Sequence, residues 1–238
     1  MSEQEAGAAG GQSRHIVLFG TEAAGRELAI GLEETDHRVM LLGPDASMAC
    51  HLDSLAEGTA VLEAATQRLG GIDAMVWAWV DPIAGQQRPL ADTSPAEWAS
   101  IAEEPLHRMM LFLKLAHLAL RDGGGRVILL VPSLAMSGAS GLVPWSTVAE
   151  GQRSIAKAVA RKWGELGITV NSIAVPASLL VPADPDRPLD RPGLPPMSLR
   201  PPTLRNDVAQ LIASLLTPAW GSVTGTTIGA DGGRWMTP

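Results

Sequence analysis

The sequence predicts an α/β protein built on one doubly wound parallel sheet with helices on both faces. Three observations predict it. An apolar run ending in glycine, His15–Gly20 (HIVLFG), is followed by a helical stretch and a second apolar run, the order of an opening βαβ unit. Two further apolar runs, AMVWAWV and RVILLV, alternate with long helical stretches, as buried parallel strands do. Finally, Gly141–Val175 (GLVPWSTVAEGQRSIAKAVARKWGELGITVNSIAV) reads as a helix, a tight GELG turn and a buried strand.

The bulk properties fit a single domain. The 238 residues suffice for one well-buried α/β unit, and a hydrophobic fraction of 46% is ordinary for a globular protein. A net charge of −7 without a basic run argues against binding nucleic acid through its phosphates. The single cysteine, Cys50, excludes an internal disulfide framework and suits a reducing cytoplasm. No apolar run approaches the roughly 20 residues that span a bilayer. The opening MSEQEAGAAGGQSR lacks the apolar core of a signal peptide. Residues 1–13 read as a flexible tail and 14–238 as the domain. A cytoplasmic location is expected, with no membrane, nucleic-acid or metal partner.

Each element has its own signal. Thr21–Leu32 carries Ala24, Leu28, Ile30 and Leu32 as a helix, and His37–Leu42 (HRVMLL) is the strand after it. The turn between the first strand and helix is Gly20-Thr-Glu-Ala-Ala-Gly25. Its Gly-x4-Gly spacing matches the start of a P-loop, but Arg26-Glu27 replaces the required Lys-Ser/Thr and excludes that reading. Glu22 puts a negative charge where a helix N-terminus would otherwise attract phosphate, so a plain strand-to-helix turn is the simpler account. Leu55–Leu69 is helical, and Gly71-Ile-Asp73 leads into the strand Ala74–Val80. There Trp77 and Trp79 point to one face, either as an aromatic platform for a ligand or as core filling. Ser94-Pro95-Ala96-Glu97 starts the longest helix, Ser94–Leu120, with an N-cap serine, proline and a first-turn acid. Pro105 falls inside it and predicts a segment broken or shifted near Glu103-Glu104-Pro105, since an unbroken helix would cost about 3 kcal/mol there. Asp122–Gly125 turns the chain into Arg126–Val131, and Ser133 follows. Val181–Pro202 holds eight prolines in 22 residues and reads as a stiff extended loop. Thr203–Leu216 is the next helix. Met109, Met110, Phe112 and Leu113 on one long helix, and Val148, Ile155, Val159 and Trp163 on the other, exceed what one buried face needs. That excess predicts an oligomer.

The helix–GELG–ITVNSIA segment, Gly71-Ile-Asp73 and the ending Gly225-Thr-Thr-Ile-Gly-Ala-Asp-Gly-Gly resemble the short-chain dehydrogenase/reductase family over about residues 15–237. The resemblance implies that family's Rossmann-like architecture and an NAD(P)-dependent ancestry. It also locates losses. Of the family's catalytic Asn, Ser, Tyr and Lys positions only the serine is kept, as Ser133; the others are occupied by Pro105, Trp145 and Ala149, and the chain has no tyrosine. Its Gly-x-x-x-Gly-x-Gly cofactor loop is shortened to a vestigial Gly20 and Gly25. Its Asn-Asn-Ala-Gly stretch is Trp77-Ala78-Trp79-Val80, whose indoles are expected to block the cofactor cleft. Its adenine-contacting Asp is His51, with Asp53 nearby. Residues 182–202 occupy the place of the substrate lid.

An indole donates a hydrogen bond but does not titrate near neutrality, and alanine offers neither charge nor donor. The resemblance therefore implies a degenerate member that binds no cofactor itself. It would assemble as a homo- or hetero-tetramer with a homologous active subunit that carries NAD(P). The family contains such pairings, for example the hydroxyacyl-CoA dehydrogenase of benzylsuccinate degradation, in which one subunit type lacks the catalytic residues. A second expectation is a non-redox enzyme, such as a cyclase or dehydratase, using Ser133, Glu150 or His107, with Ser137 and Ser140 as further hydroxyls. A third is an atypical NAD(P)-dependent oxidoreductase.

Overall fold

A computed structural model describes residues 13–46, 48–181, 189 and 196–236. The tail expected at 1–13 lies outside the described residues except for Ser13, whose hydroxyl donates to the Asp36 carbonyl at 2.6 Å. Most of the proline-rich stretch is likewise outside them. Of its interior, Leu189 is described and sits buried in the core.

The strands are β1 (His15–Gly20), β2 (Arg38–Gly43), β3 (Met48–Ala49), β4 (Ala74–Ala78), β5 (Gly125–Pro132), β6 (Ile168–Val175) and β7 (Thr227–Gly229). They form one seven-stranded sheet in the order β3-β2-β1-β4-β5-β6-β7, and every pairing is parallel. Parallel strands buried on both faces should read as continuous apolar runs, and β4 and β6 are buried at every position. One face is covered by α1 (Glu22–Glu33) and α6 (Ala209–Leu215), with part of α5 (Val143–Trp163). The other lies under α2 (Leu55–Leu69) and α4 (Glu104–Leu120). The fold class expected from the sequence is the fold observed.

The start of the long helix follows its sequence signal. Ser94 caps the short α3 (Pro95–Trp98), and the Glu97 side chain reaches back to the Ser94 amide to complete a capping box. Of the two outcomes expected near Pro105, a break or a shift, the structure shows a shift. Five residues, Ala99–Glu103, widen to π-helical pitch, and α4 resumes with Pro105 buried in its first turn. There the missing amide hydrogen removes little, and the π turn absorbs the misfit.

The apolar excess expected on the two long helices is largely spent inside the chain. Met109, Phe112, Leu113 and Val148 are buried in its own core. Met110 is 37% exposed, and Ile155, Val159 and Trp163 are half-buried. Trp163 packs against His117 with ring centres 5.4 Å apart. The large exposed patch from which an oligomer was predicted is therefore reduced to a narrow strip. No helix among the described residues is long and apolar enough to cross a membrane.

The segment before β7 is pinned by Asn171 on β6. Its side-chain amide donates to the Val223 carbonyl at 2.8 Å and its oxygen accepts from the Thr226 amide at 3.2 Å. Asp231 is buried beyond β7 and accepts from the Arg234 and Trp235 amides, closing the turn that ends the fold.

Candidate functional site

In an open parallel sheet, ligands lie beyond the carboxyl ends of the strands where the strand order reverses. Here that point is between β1 and β4, and a cavity of about 970 Å³ opens there. Its volume is at the upper end of the ~300–1,000 Å³ typical of small-molecule sites. The strand ends supply Thr21, Asp45, Trp79 and Asp81. Helix α1 adds Glu22, Arg26 and Glu27, and α4 adds Glu104 and Arg108. His51 and the segment Ser178–Val181 complete the wall.

The two tryptophans of the AMVWAWV run have separate roles. Trp77 lies inside the core, fully buried. It stacks on Phe19 at 5.2 Å with the rings 8° apart, and it leans on Phe112 at 5.2 Å. It does not line the cavity. Trp79 sits just past the end of β4 and forms part of the cavity wall. The Arg108 guanidinium lies 5.0 Å over its ring, and Arg108 also pairs with Asp53 at 3.0 Å and Glu104 at 3.6 Å. The expected plug is thus divided: one indole is core, the other is wall, and the space beside it stands open.

The same geometry tests whether a dinucleotide suits the cavity. A phosphate cradle needs glycines that leave room at a helix N-terminus. At Gly25 a Cβ would meet Leu41 Cδ1 at 2.5 Å, and at Gly43 it would lie 2.1 Å from the Gly20 carbonyl oxygen. The chain's own atoms thus occupy the space these glycines leave. The turn is a single residue, Thr21, and the first helical residue is Glu22. Five carboxylate residues, Glu22, Glu27, Asp45, Asp81 and Glu104, line the cavity against two arginines. Only Asp45 suits the cofactor, being placed 20 residues after Gly25, where a ribose-binding carboxylate is expected. The residues present do not fit a pyrophosphate.

Of the four positions that the resemblance marks as catalytic, Ser133 alone keeps the family residue, and all four are buried. Trp145 is 2% exposed and packs in the core with Leu134, Leu142 and Val148. Ala149, one turn later on α5, is fully buried, and Pro105 and Ser133 are buried too. The other candidate groups do not converge. Glu150 is exposed and pairs with Arg153 at 2.5 Å, while Arg153 Nε donates to the Thr227 hydroxyl at 3.1 Å. His107 is exposed beside Asp53. Ser137 donates to the Leu134 carbonyl at 3.1 Å. None of Ser133, His107 and Glu150 lines the large cavity. His51 does, at its rim, and its backbone amide donates to Glu57 at 2.8 Å.

A family model described as enoyl-(acyl carrier protein) reductase matches residues 20–234. The chain belongs to the short-chain dehydrogenase/reductase family. The acetoacetyl-CoA reductase of Rhizobium meliloti is 26% identical over 147 residues, covering 60% of this chain and 61% of that protein. The uncharacterized oxidoreductase Rv1714 of Mycobacterium tuberculosis is 25% identical over 183 residues, covering 68% of this chain and 67% of that protein. Among solved structures, the 3-ketoacyl-(acyl-carrier-protein) reductase from Brucella melitensis complexed with NADH aligns with a TM-score of 0.81 at 18% identity. It covers 94% of this chain and 99% of its own. Levodione reductase aligns at 0.77 with 22% identity, covering 93% and 98%. These likenesses carry the reductase fold.

Sequence reasoning missed Asp45, Asp81 and Arg108 as cavity residues. The first two could have been found, since each lies two or three residues past the carboxyl end of a strand near the switch point. Arg108 had no such signal. It is one residue from His107, and only the helix phase turns it toward Trp79.

Proposed function

We propose that this chain is a short-chain dehydrogenase/reductase subunit that does not itself carry out alcohol–carbonyl redox chemistry and that assembles with an active homologue. The observation that carries the reading is the pair Trp145 and Ala149, both buried where the family keeps its tyrosine and lysine, in a chain without any tyrosine. General acid–base catalysis needs a titrating group within hydrogen-bond reach of the reacting oxygen. The acid-rich cavity supports the companion proposal that the chain binds neither NAD nor NADP and that NAD(P) is held by the partner. The acetoacetyl-CoA and 3-ketoacyl reductases among its relatives suggest ketoacyl or hydroxyacyl thioesters as the partner's substrates, the class of the hydroxyacyl-CoA dehydrogenase pairing. The remaining apolar strip of Met110, Ile155, Val159 and Trp163 is the surface offered for assembly.

The test is co-expression with a genomically adjacent homologue that retains Tyr-x-x-x-Lys. The two chains should co-purify, and NADH oxidation with acetoacetyl-CoA should require the homologue. Turnover by this chain alone would overturn the reading, and so would failure of every such neighbour to associate.

The open cavity favours one other reading, a non-redox enzyme using Asp81, Glu104 and His51 in place of the groups first considered. Hydration or dehydration of an enoyl thioester by the isolated chain, abolished in Asp81→Asn, would establish it.

A further inference from the structure

A second cavity, of about 300 Å³, lies at the opposite edge of the sheet, where the strands begin. It is bounded by Arg14 before β1, Asp73 before β4, the Asp122–Arg126 turn into β5, and Leu166-Gly167 before β6, with Leu216 closing one side. Strands of five to eight residues separate it from the large cavity by roughly 15–25 Å. The groups lining it are therefore distinct from those of the candidate site.

The charges around it leave one group over. Arg14 pairs with Asp73 at 3.3 Å, and that carboxylate also accepts the His15 amide at 2.8 Å. Asp122 pairs with Arg121 at 3.8 Å. Arg126 has no carboxylate partner among the described residues. Its Nη1 donates to the neighbouring Gly125 carbonyl at 3.2 Å, and its buried Nε has no acceptor. Burial, followed by the adjacent Arg14 charge, pulls the Arg126 guanidinium below its ordinary range. A guanidinium carries five donors in a rigid fork that matches an oxyanion edge to edge, and Arg126 brings that fork to the cavity wall without a carboxylate partner among the described residues. The backbone amides nearby are already engaged: Gly124 donates to Leu120, Gly125 to Gly167 and Arg126 to Asp73. What Arg126 lacks, among the described residues, is a negatively charged acceptor.

We propose that this cavity is a binding site for a small oxyanion, a phosphate or carboxylate group gripped by the Arg126 fork. Of the lining carboxylates, Asp73 is held by Arg14, and Asp122 stands exposed to water 3.8 Å from Arg121; neither pairs with Arg126, which is left to the ligand. The glycines of the turn give the approach its shape. Gly124 and Gly125 have φ of 74° and 155°, and a Cβ at Gly125 would lie 2.7 Å from the Asp73 carbonyl oxygen, so the turn closes tightly under β4.

Thermal unfolding of the purified chain tests this with inorganic phosphate and with citrate, each against sodium chloride at equal ionic strength. A ligand held by the native state alone raises the midpoint in a saturable manner. Wild type should show that rise with phosphate, with citrate, or with both, and which of them acts identifies the oxyanion. Arg126→Met should lose it while unfolding, without anion, no earlier than wild type, because an unpaired buried charge has been removed. Arg126→Lys keeps the charge but not the fork. It should bind at least about tenfold more weakly, and it serves if the methionine variant does not fold. Arg26→Met, altering the large cavity, should keep the full response. The proposal is overturned by the absence of any saturable rise, by its survival in Arg126→Met, or by its loss in Arg26→Met alone.

Discussion

Restoring the missing lysine is the perturbation that asks most of this structure. Ala149 is fully buried, and its exposed neighbour Glu150 is already paired with Arg153 at 2.5 Å. In Ala149→Lys the new ammonium enters the core with no counter-charge supplied. Desolvation alone lowers a buried lysine's pKa, and a drop of about 3 units from about 10.4 corresponds to about 4 kcal/mol at neutral pH. Overpacking adds about 1–3 kcal/mol. Against a total stability of about 5–15 kcal/mol, the variant should fold marginally. The sign of the pH dependence is fixed. Between the lowered folded pKa, near 7, and the unfolded value near 10, the unfolded state binds more protons. The variant's deficit therefore shrinks as pH rises across that window, by up to about 1.4 kcal/mol per unit. Urea midpoints of Ala149→Lys and wild type between neutral pH and pH 10 measure this. Trp145→Tyr/Ala149→Lys should show no NAD(P)H turnover on ketones or ketoacyl thioesters. A lysine variant as stable as wild type and without this slope would mean that the ammonium reaches water in an open cleft. Turnover by the double variant would then refute the reading of a lost active site.

Four further outcomes follow from particular contacts. Trp77→Ala should cost about 3–5 kcal/mol in denaturant unfolding, because it empties the stack between Phe19 and Phe112. Arg108→Ala, removing the cation over Trp79 and the link to Asp53, should cost about 1 kcal/mol and shift Trp79 fluorescence. Hydrogen bonds from Arg200, then from the Thr203 amide, hold Asp207 at a pKa of about 2. Its stabilisation is present above the unfolded value and is lost as pH falls from about 4 toward 2, and Asp207→Asn should flatten that limb of an acid titration. Burial pushes the Cys50 thiol up to about 11, so it should resist thiol reagents at pH 8 until the chain unfolds.

The fold was legible because its determinants are local and repetitive. Runs such as VILLV in β5 are apolar throughout, as a strand covered on both faces should be, and the Ser94–Glu97 cap is a four-residue signal that the structure reproduces in full. At Pro105 the sequence left two outcomes open, a break or a local shift, and could not choose between them. The π turn at Ala99–Glu103 depends on how α4 packs against the sheet, which no spacing reveals. The two indoles were misjudged for a similar reason. Alternation correctly put Trp77 and Trp79 in the same face's core cluster, but β4 ends at Ala78. Beyond the end of the pleat, Trp79 borders the cavity while Trp77 stays beneath it.

The family features this chain keeps and those it lacks divide along one physical line. Asn171 clamps the loop into β7 with both ends of its amide, and buried Asp231 closes the last turn by accepting two backbone amides. Removing either would leave buried backbone groups without partners, at about 1–3 kcal/mol each. On the reading proposed above, the positions that differ are those whose polar groups in a working reductase face cofactor or substrate rather than the fold. At these positions Trp145, Ala149 and Pro105 are buried and meet the demands of packing alone. The cavity itself was not filled in this way. It remains open at the switch point, with Trp79 and Arg108 on one side and carboxylates around its rim. That open cavity, lined by five carboxylate residues and two arginines, is the structural reason to assay this chain for ligands of its own, positively charged or neutral ones first.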